Sequence, residues 1–181
     1  MKRTIIAALT LVLSLTLSAQ NNVTVFMGVP VDGTEASMIA HLMKNGATRK
    51  GENIVLNKID GNPYIIRLKT NKGRLWRVSM IDSKGTKDVN RILSIYEAMI
   101  DAYRENTNQY CEYEYNKPVN PADSLNWENY IHQGAYYAEF FQIADPQLYS
   151  RRVAFRITDE FGDYRIEHMY DNIYNMPEGE Q

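Results

Sequence analysis

The sequence predicts an α+β fold in which helices pack on antiparallel β-meanders. Several short segments alternate apolar and polar residues with a period of two, as strands with one solvated face do. Two other segments repeat apolar residues every three or four positions, as amphipathic helices do. The strand-like segments follow one another through turns instead of alternating with helices, which argues against a doubly wound parallel sheet.

The first 19 residues have the pattern of a secretory signal peptide. Lys2 and Arg3 precede an apolar run from Ile5 to Leu17, and Ala19 supplies a small residue at the predicted cleavage position. Cleavage there would leave residues 20–181 as a single globular domain, exported to the periplasm or the extracellular space, with its net charge changed from −2 to −4. A membrane anchor is the alternative, but a span needs about 20 apolar residues. No later run is apolar enough to cross a bilayer, so we predict no transmembrane segment in the mature chain.

The segment after residue 22 predicts a short strand, a turn and a helix. The strand covers residues 23–27, and the turn that follows is rich in Gly, Pro and Val. Asp32 with Glu35 fits a capping box, and Thr34 is the competing N-cap. The helix carries an apolar stripe of Met38, Ile39, Leu42 and Met43.

A three-stranded antiparallel meander is predicted next. Its strands cover residues 53–59, 64–70 and 74–82. The turns contain Asp60-Gly61 and Asn71-Lys72-Gly73, which are typical hairpin sequences. Alternation in the last strand places Trp76 on the core face and Arg77 on the opposite face.

The rest of the chain predicts a long helix over residues 88–106, a short helix ending near residue 132, and further strands. The strands cover residues 110–115, 135–143, 151–158 and 164–171. Gly73 and Gly162 each precede an aspartate by nine residues, which is compatible with two αβββ-like halves, residues 23–108 and 109–176. Convergent hairpin chemistry is the alternative explanation of this echo.

The stretch Phe26-Met27-Gly28-Val29-Pro30-Val31-Asp32-Gly33 resembles the opening of a group of small, functionally uncharacterised exported proteins from Bacteroides-type bacteria. In that group the stretch follows a signal peptide and precedes a helix and a meander. The resemblance implies export and a helix-plus-meander layout, and it brings no catalytic residues. The layout is also similar to exported proteins of the β-lactamase-inhibitor type, in which helices back a curved sheet, and this analogy concerns the fold alone.

The motifs of the common enzyme and metal-binding classes are missing from the sequence. It has no Gly-x-Ser-x-Gly nucleophile elbow, no Gly-x-x-x-x-Gly-Lys phosphate loop and no Cys/His spacing suited to zinc. We therefore predict no catalytic residue, no cofactor and no metal. Asp159, Glu160 and Asp163 cluster in a predicted turn, where they either serve acid–base chemistry or solvate a hairpin. His168 is predicted to be a surface or half-buried structural residue.

Two residues are candidates for covalent chemistry. Cys111 is the single cysteine and lies in an alternating segment, which predicts a buried thiol; an intermolecular disulfide is the alternative. Ser124, in Asp123-Ser124-Leu125, resembles a short O-glycosylation acceptor of exported bacterial proteins, although a helix cap explains the same residues.

Basic residues concentrate in the first meander. Residues 44–77 hold nine basic and two acidic side chains in a chain whose net charge is −2. Alternation predicts that Arg67, Lys69 and Arg77 project from one sheet surface, where they would attract an anionic partner. The alternative is self-neutralisation by an acidic stripe on the long helix, formed by Glu97, Asp101 and Glu105. The overall acidic balance and the predicted export disfavour nucleic acid.

Aromatic residues have the opposite bias. Four of the twenty precede residue 100 and sixteen follow it. Tyrosine-rich surfaces suit recognition of proteins or sugars, because each ring offers apolar area and a polar tip. Tyr113 and Tyr115 are therefore predicted to join the partner-binding surface.

Three classes of function remain open from the sequence. The first is an exported, non-enzymatic binding protein whose basic sheet face contacts an anionic protein, polymer or glycan. The second is a structural, oligomer-forming component of the cell envelope, bridged through Cys111. The third is a hydrolase of an unrecognised type that uses carboxylates such as Asp159 and Asp163.

Overall fold

A computed structural model describes residues 22–59, 62–117, 126–143 and 150–180. Within these ranges the fold is α+β, with an eight-stranded antiparallel sheet, a small two-stranded sheet and three α-helices. The predicted fold class is confirmed. The proposed signal peptide, the Asp60-Gly61 turn and Ser124 lie outside the described residues.

The helices are α1 (Glu35–Lys44), α2 (Val89–Glu105) and α3 (Trp127–His132). The strands of the first half are β1 (Val25–Phe26), β2 (Val29–Pro30), β3 (Ala47–Lys50), β4 (Asn53–Ile59), β5 (Asn62–Asn71) and β6 (Arg74–Asp82). Those of the second half are β7 (Tyr110–Asn116), β8 (Tyr137–Gln142), β9 (Arg151–Thr158) and β10 (Arg165–Asn172), with a 3₁₀ turn at Glu160–Gly162 before β10.

The large sheet consists of two four-stranded meanders that meet at their last strands. The strand order is β3-β4-β5-β6-β10-β9-β8-β7, and every neighbouring pair is antiparallel. Helix α1 precedes the first meander and α2 precedes the second, so the topology repeats a helix followed by four strands, with α3 inserted between β7 and β8. The division between these two topological units falls before α2, whereas the halves suggested by the sequence divide after it.

All three helices lie on one face of the large sheet, here called the inner face. Their buried residues, such as Leu42, Tyr96 and Ile131, share one hydrophobic core with inward-facing strand residues. The strand register aligns an inner row across the middle of the sheet, which runs Ile66, Met80, His168, Phe155, Ala138. In the described part of the chain, every helix is too short or too polar to cross a lipid bilayer.

The first helix has its N-cap two residues later than the capping-box prediction places it. The Thr34 hydroxyl caps α1 by accepting a hydrogen bond from the Ser37 amide at 3.2 Å. The Asp32 carboxylate instead accepts hydrogen bonds from Arg74 at 2.8 Å and from the Asn175 amide at 2.9 Å. The alternative prediction, Thr34 as the N-cap, is therefore confirmed. The Asp32 carboxylate instead connects the start of α1 to β6 through Arg74.

A β-bulge changes which face Trp76 occupies. The β5–β6 register shifts between Lys69, which pairs with Arg77, and Thr70, which pairs with Leu75, so Trp76 has no partner of its own. Its ring lies against Arg77, whose guanidinium carbon is 4.5 Å from the ring centroid, and Leu75 takes the place in the core. The prediction that Trp76 faces the core opposite Arg77 is wrong, because strict alternation does not hold through a bulge.

Candidate ligand cavity between α2 and the sheet

The predicted basic surface is largely neutralised. Arg77 is 7% exposed and its guanidinium donates two hydrogen bonds to the Asp171 carboxylate, at 2.6 and 2.8 Å. Arg67 pairs with Glu160 at 2.6 Å. Lys69 is exposed, with its amine 5.4 Å from the Trp76 ring centroid. The expectation that Arg77 projects into solvent is therefore wrong, since β10 places Asp171 directly opposite it.

The neutralising carboxylates do not come from the acidic stripe of α2. Glu97 accepts hydrogen bonds from the Tyr115 hydroxyl at 2.6 Å and from Lys117 at 3.2 Å. Asp101 lies 3.3 Å from Arg104 on its own helix. Neutralisation of Arg67 and Arg77 thus depends on acids from β10 and the turn before it, which are distant in sequence.

The five predicted partner-binding residues do not form one surface. Tyr113 is 62% exposed and contacts Phe141 on the outer face, with ring centroids 5.2 Å apart. Tyr115 lies on the inner face, where its ring is stacked with that of Tyr96 at a centroid distance of 6.4 Å. Arg67 is on β5 and Tyr113 on β7, five strand spacings away, which is about 24 Å at about 4.8 Å per strand.

The single thiol is accessible. Cys111 is exposed on β7, an edge strand of the sheet. The prediction of a buried thiol is wrong, because the outward face of this edge strand has a neighbour on one side only.

Asp159 and Asp163 of the predicted turn line a small cavity of about 340 Å³, whereas Glu160 pairs with Arg67. Asp159 Oδ2 lies 3.0 Å from His132 Nδ1, and the Tyr164 hydroxyl donates to Glu128 at 2.7 Å. Both members of the His132–Asp159 pair are about half exposed. Among the described residues, no group of three or more His, Cys, Asp and Glu side chains could hold a metal ion.

A larger cavity, of about 760 Å³, lies between α2 and strands β5, β6 and β10. Its volume is within the range of small-molecule sites. One wall is the side of α2 that carries Ile95, Met99 and Ala102, next to the stripe that α2 buries in the core. Ile95 is 45% exposed, so the cavity opens to solvent along this side of the helix.

The opposite wall is the inner face of the sheet, where His168 interrupts an apolar row. His168 pairs with Met80 on one side and with Phe155 on the other, and its ring centroid is 5.0 Å from that of Phe155. Burial lowers the pKa of His168 to about 4, so the ring is neutral at neutral pH. Nδ1 of His168 has no hydrogen-bond partner in the described part of the chain.

The end of the cavity near the C-terminal part of α2 carries two tyrosines. The hydroxyls of Tyr103 and Tyr170 are 3.5 Å apart. Burial raises the pKa of both, to about 12 for Tyr170, so both hydroxyls stay protonated and can donate hydrogen bonds. At the other end, the loop between β6 and α2 contributes Lys84 and the first turn of α2 contributes Arg91.

Sequence patterns identified the components of this cavity without locating it. Ile95 and Met99 belong to the apolar repeat that predicts the long helix. His168 is predicted to be at the surface or half-buried, and it is half-buried. The cavity itself depends on the distance between α2 and the sheet, and the periodicity of apolar residues gives no information on that distance. A histidine within an apolar strand row was the one available signal.

No family model, curated protein or solved structure matches the chain.

Proposed function

We propose that the protein is an exported, non-enzymatic binding protein that holds a small ligand in the cavity between α2 and the sheet. The observation that carries the proposal is the combination of about 760 Å³ of volume, an apolar wall along α2, and polar groups at both ends and, at His168, on the sheet wall. This is the usual composition of a ligand pocket: apolar area supplies affinity, and a few polar groups fix orientation.

The walls favour a ligand with an apolar body. Met80, Ile95 and Met99 present aliphatic surface, and methionine side chains adapt to irregular shapes. Each methylene moved from water into such a site contributes about 0.8 kcal/mol. Cavity polar groups such as His168 and Tyr170 are neutral at neutral pH, which suits hydrogen bonding better than proton transfer.

A fluorescent probe with an apolar ring system, 1-anilinonaphthalene-8-sulfonate, tests this proposal. Ala102 is exposed at the mouth of the cavity, so Ala102→Trp covers the opening without disturbing the core. Ser94→Trp adds the same ring to an exposed position of α2 that does not line the cavity. We expect saturable fluorescence enhancement with the wild type and with Ser94→Trp, and its loss with Ala102→Trp.

Equal enhancement by all three proteins would place the probe elsewhere and contradict the proposal. Circular dichroism spectra that superimpose would establish that the variants are folded. Enhancement that grows linearly without saturation would likewise count against a defined site.

The exposure of Cys111 favours a second candidate, an oligomer-forming envelope component. Disulfides form and persist in oxidising compartments such as the periplasm. Two copies joined through Cys111 would run as a reducible dimer on non-reducing electrophoresis, and Cys111→Ser would run as a monomer. A monomeric wild type in periplasmic extracts would exclude this candidate.

A further inference from the structure

The two ends of the cavity differ in charge. Among the residues that the structure describes, Lys84, Arg91 and Arg165 line the end near the β6–α2 loop, against one acidic lining residue, Asp82. The opposite end has the hydroxyls of Tyr103 and Tyr170. A ligand that fills the cavity therefore meets an excess of positive charge at one end only.

Arg165 is committed to the fold. Its side chain donates to the Glu160 carbonyl at 3.2 Å and to the Asp82 carbonyl at 2.8 Å, and it lies 3.5 Å from the Asp163 carboxylate. This arginine fixes the position of the loop, and its charge is already shared with a neighbouring acid.

Lys84 and Arg91 are different, because their charged groups have no structural task. Both are exposed, and within the described ranges neither side chain makes a hydrogen bond or an ion pair. The nearby Asp82 carboxylate accepts the backbone amide of Lys84 at 2.8 Å, and Asp88 caps α2 by accepting the amide of Arg91 at 3.2 Å. The adjacent acids are thus engaged with the backbone, and the two cationic heads remain available.

The length of the cavity limits the shape of the ligand. From Arg91 to Tyr103 the wall follows twelve residues of α2, which is about 18 Å at 1.5 Å per residue. Between these ends Met80, Ile95 and Met99 provide apolar surface, which His168 interrupts on the sheet side. An elongated chain fits this path better than a compact polar molecule does.

We propose that the ligand is a linear amphiphile with an anionic head, a carboxylate or a phosphate monoester. The head pairs with Lys84 and Arg91, and the chain follows α2 toward Tyr103 and Tyr170. This inference rests on the proposed binding function and specifies the class and orientation of the ligand. Guanidinium and ammonium groups both form charge-assisted hydrogen bonds to carboxylate and phosphate oxygens.

Isothermal titration calorimetry with a set of twelve-carbon probes tests the head group, each probe being kept below its micelle concentration or its solubility limit. Dodecanoate and dodecyl phosphate carry the two anionic heads, while dodecanol and dodecyltrimethylammonium are the neutral and cationic counterparts. We expect both anions to bind the wild type at least tenfold more tightly than the neutral and cationic probes do. A preference between the two anions would identify which source of the head group the site favours.

Variants then locate the head. The double variant Lys84→Gln/Arg91→Gln is expected to bind the two anionic probes at least tenfold more weakly than the wild type does. Its affinity for dodecanol should be unchanged. Lys87→Gln/Arg49→Gln removes the same charge from exposed residues that do not line this cavity, and should leave every affinity unchanged. All four positions are exposed, so the variants test charge and not folding.

Two results would overturn this inference in distinguishable ways. If all four probes bind equally and the Lys84/Arg91 variant behaves as the wild type, the cavity binds chains without recognising an anion, and only the ligand class is wrong. If no probe binds and Ala102→Trp leaves dye binding unchanged, both the ligand class and the proposed binding function are wrong.

Discussion

At the scale of single residues, the outer face of the sheet is organised by buried ion pairs. Asp171 is fully buried and accepts two hydrogen bonds from Arg77, and it lies 3.7 Å from the Nε of Arg152. Arg152 in turn lies 3.0 Å from Glu139. Removal of one partner from such a group is costly, because a charge is left buried and unpaired.

We expect Asp171→Asn to lower the free energy of unfolding by about 3–5 kcal/mol. The amide keeps the shape of the side chain and removes the negative charge that Arg77 and Arg152 share. Glu160→Gln is the control, because its pair with Arg67 is partly exposed, and such pairs contribute about 0–1 kcal/mol. Chemical denaturation measures both, and equal losses would contradict the account of a buried network.

His168 makes stability depend on pH. Its pKa is about 4 in the folded protein, against an ordinary value of 6.5, because burial disfavours the charged ring. The unfolded chain therefore binds more protons between these values, and stability falls as the pH falls through this window.

The expected loss attributable to His168 is on the order of 3 kcal/mol, at about 1.4 kcal/mol per pKa unit. His168→Gln removes the titrating ring and should show a shallower fall in unfolding free energy on acidification. Parallel curves for the wild type and His168→Gln would contradict the assignment, since the carboxylates contribute equally to both.

At the scale of elements, the β6–α2 loop sets the basic end of the cavity. Thr86 and Tyr164 exchange two backbone hydrogen bonds, of 3.0 and 2.8 Å, which clamp this loop to the start of β10. Gly85 lies at the closest approach, where an added Cβ would stand 2.3 Å from the Cβ of Asp163. A side chain at this position must push the loop away from β10.

We expect Gly85→Ala to lower the free energy of unfolding by about 1–3 kcal/mol through overpacking. Gly73→Asn in the β5–β6 turn is the comparison. The φ of Gly73 is +78°, and a Cβ added there would have no other atom of the described fold within 4 Å apart from its chain neighbours. Asparagine tolerates this conformation, so its cost should be smaller. Thermal unfolding compares the two, and a larger loss for Gly73→Asn would contradict the loop account.

The elements themselves were largely readable from the sequence. The predicted helix over residues 88–106 is α2 at Val89–Glu105, because its apolar stripe is long and regular. Strand β3 at Ala47–Lys50 was missed, since its Thr, Arg and Lys are exposed and carry no apolar alternation. The bulge at Trp76 was not predicted either, because the alternation of apolar and polar residues does not show where a strand gains an extra residue.

At the scale of the whole molecule, the candidate site depends on contacts between distant parts of the chain. Arg77 and Asp171 are 94 residues apart and meet only because β6 pairs with β10. The same pairing brings Met80 beside His168 and forms the cavity wall. Sequence patterns identified basic residues and tyrosines as candidates. They did not predict the strand order, which determines which of these residues are buried and which line a cavity.

NMR of methionine methyl groups tests the central claim most directly. Met80 and Met99 line the cavity, whereas Met43 is exposed on α1 and Met169 is buried on the outer face of the sheet. Titration with 1-anilinonaphthalene-8-sulfonate should shift the signals of Met80 and Met99, through the ring current of the probe, and leave those of Met43 and Met169 in place. Shifts confined to Met43 or Met169, or no shift at saturating probe, would contradict the account.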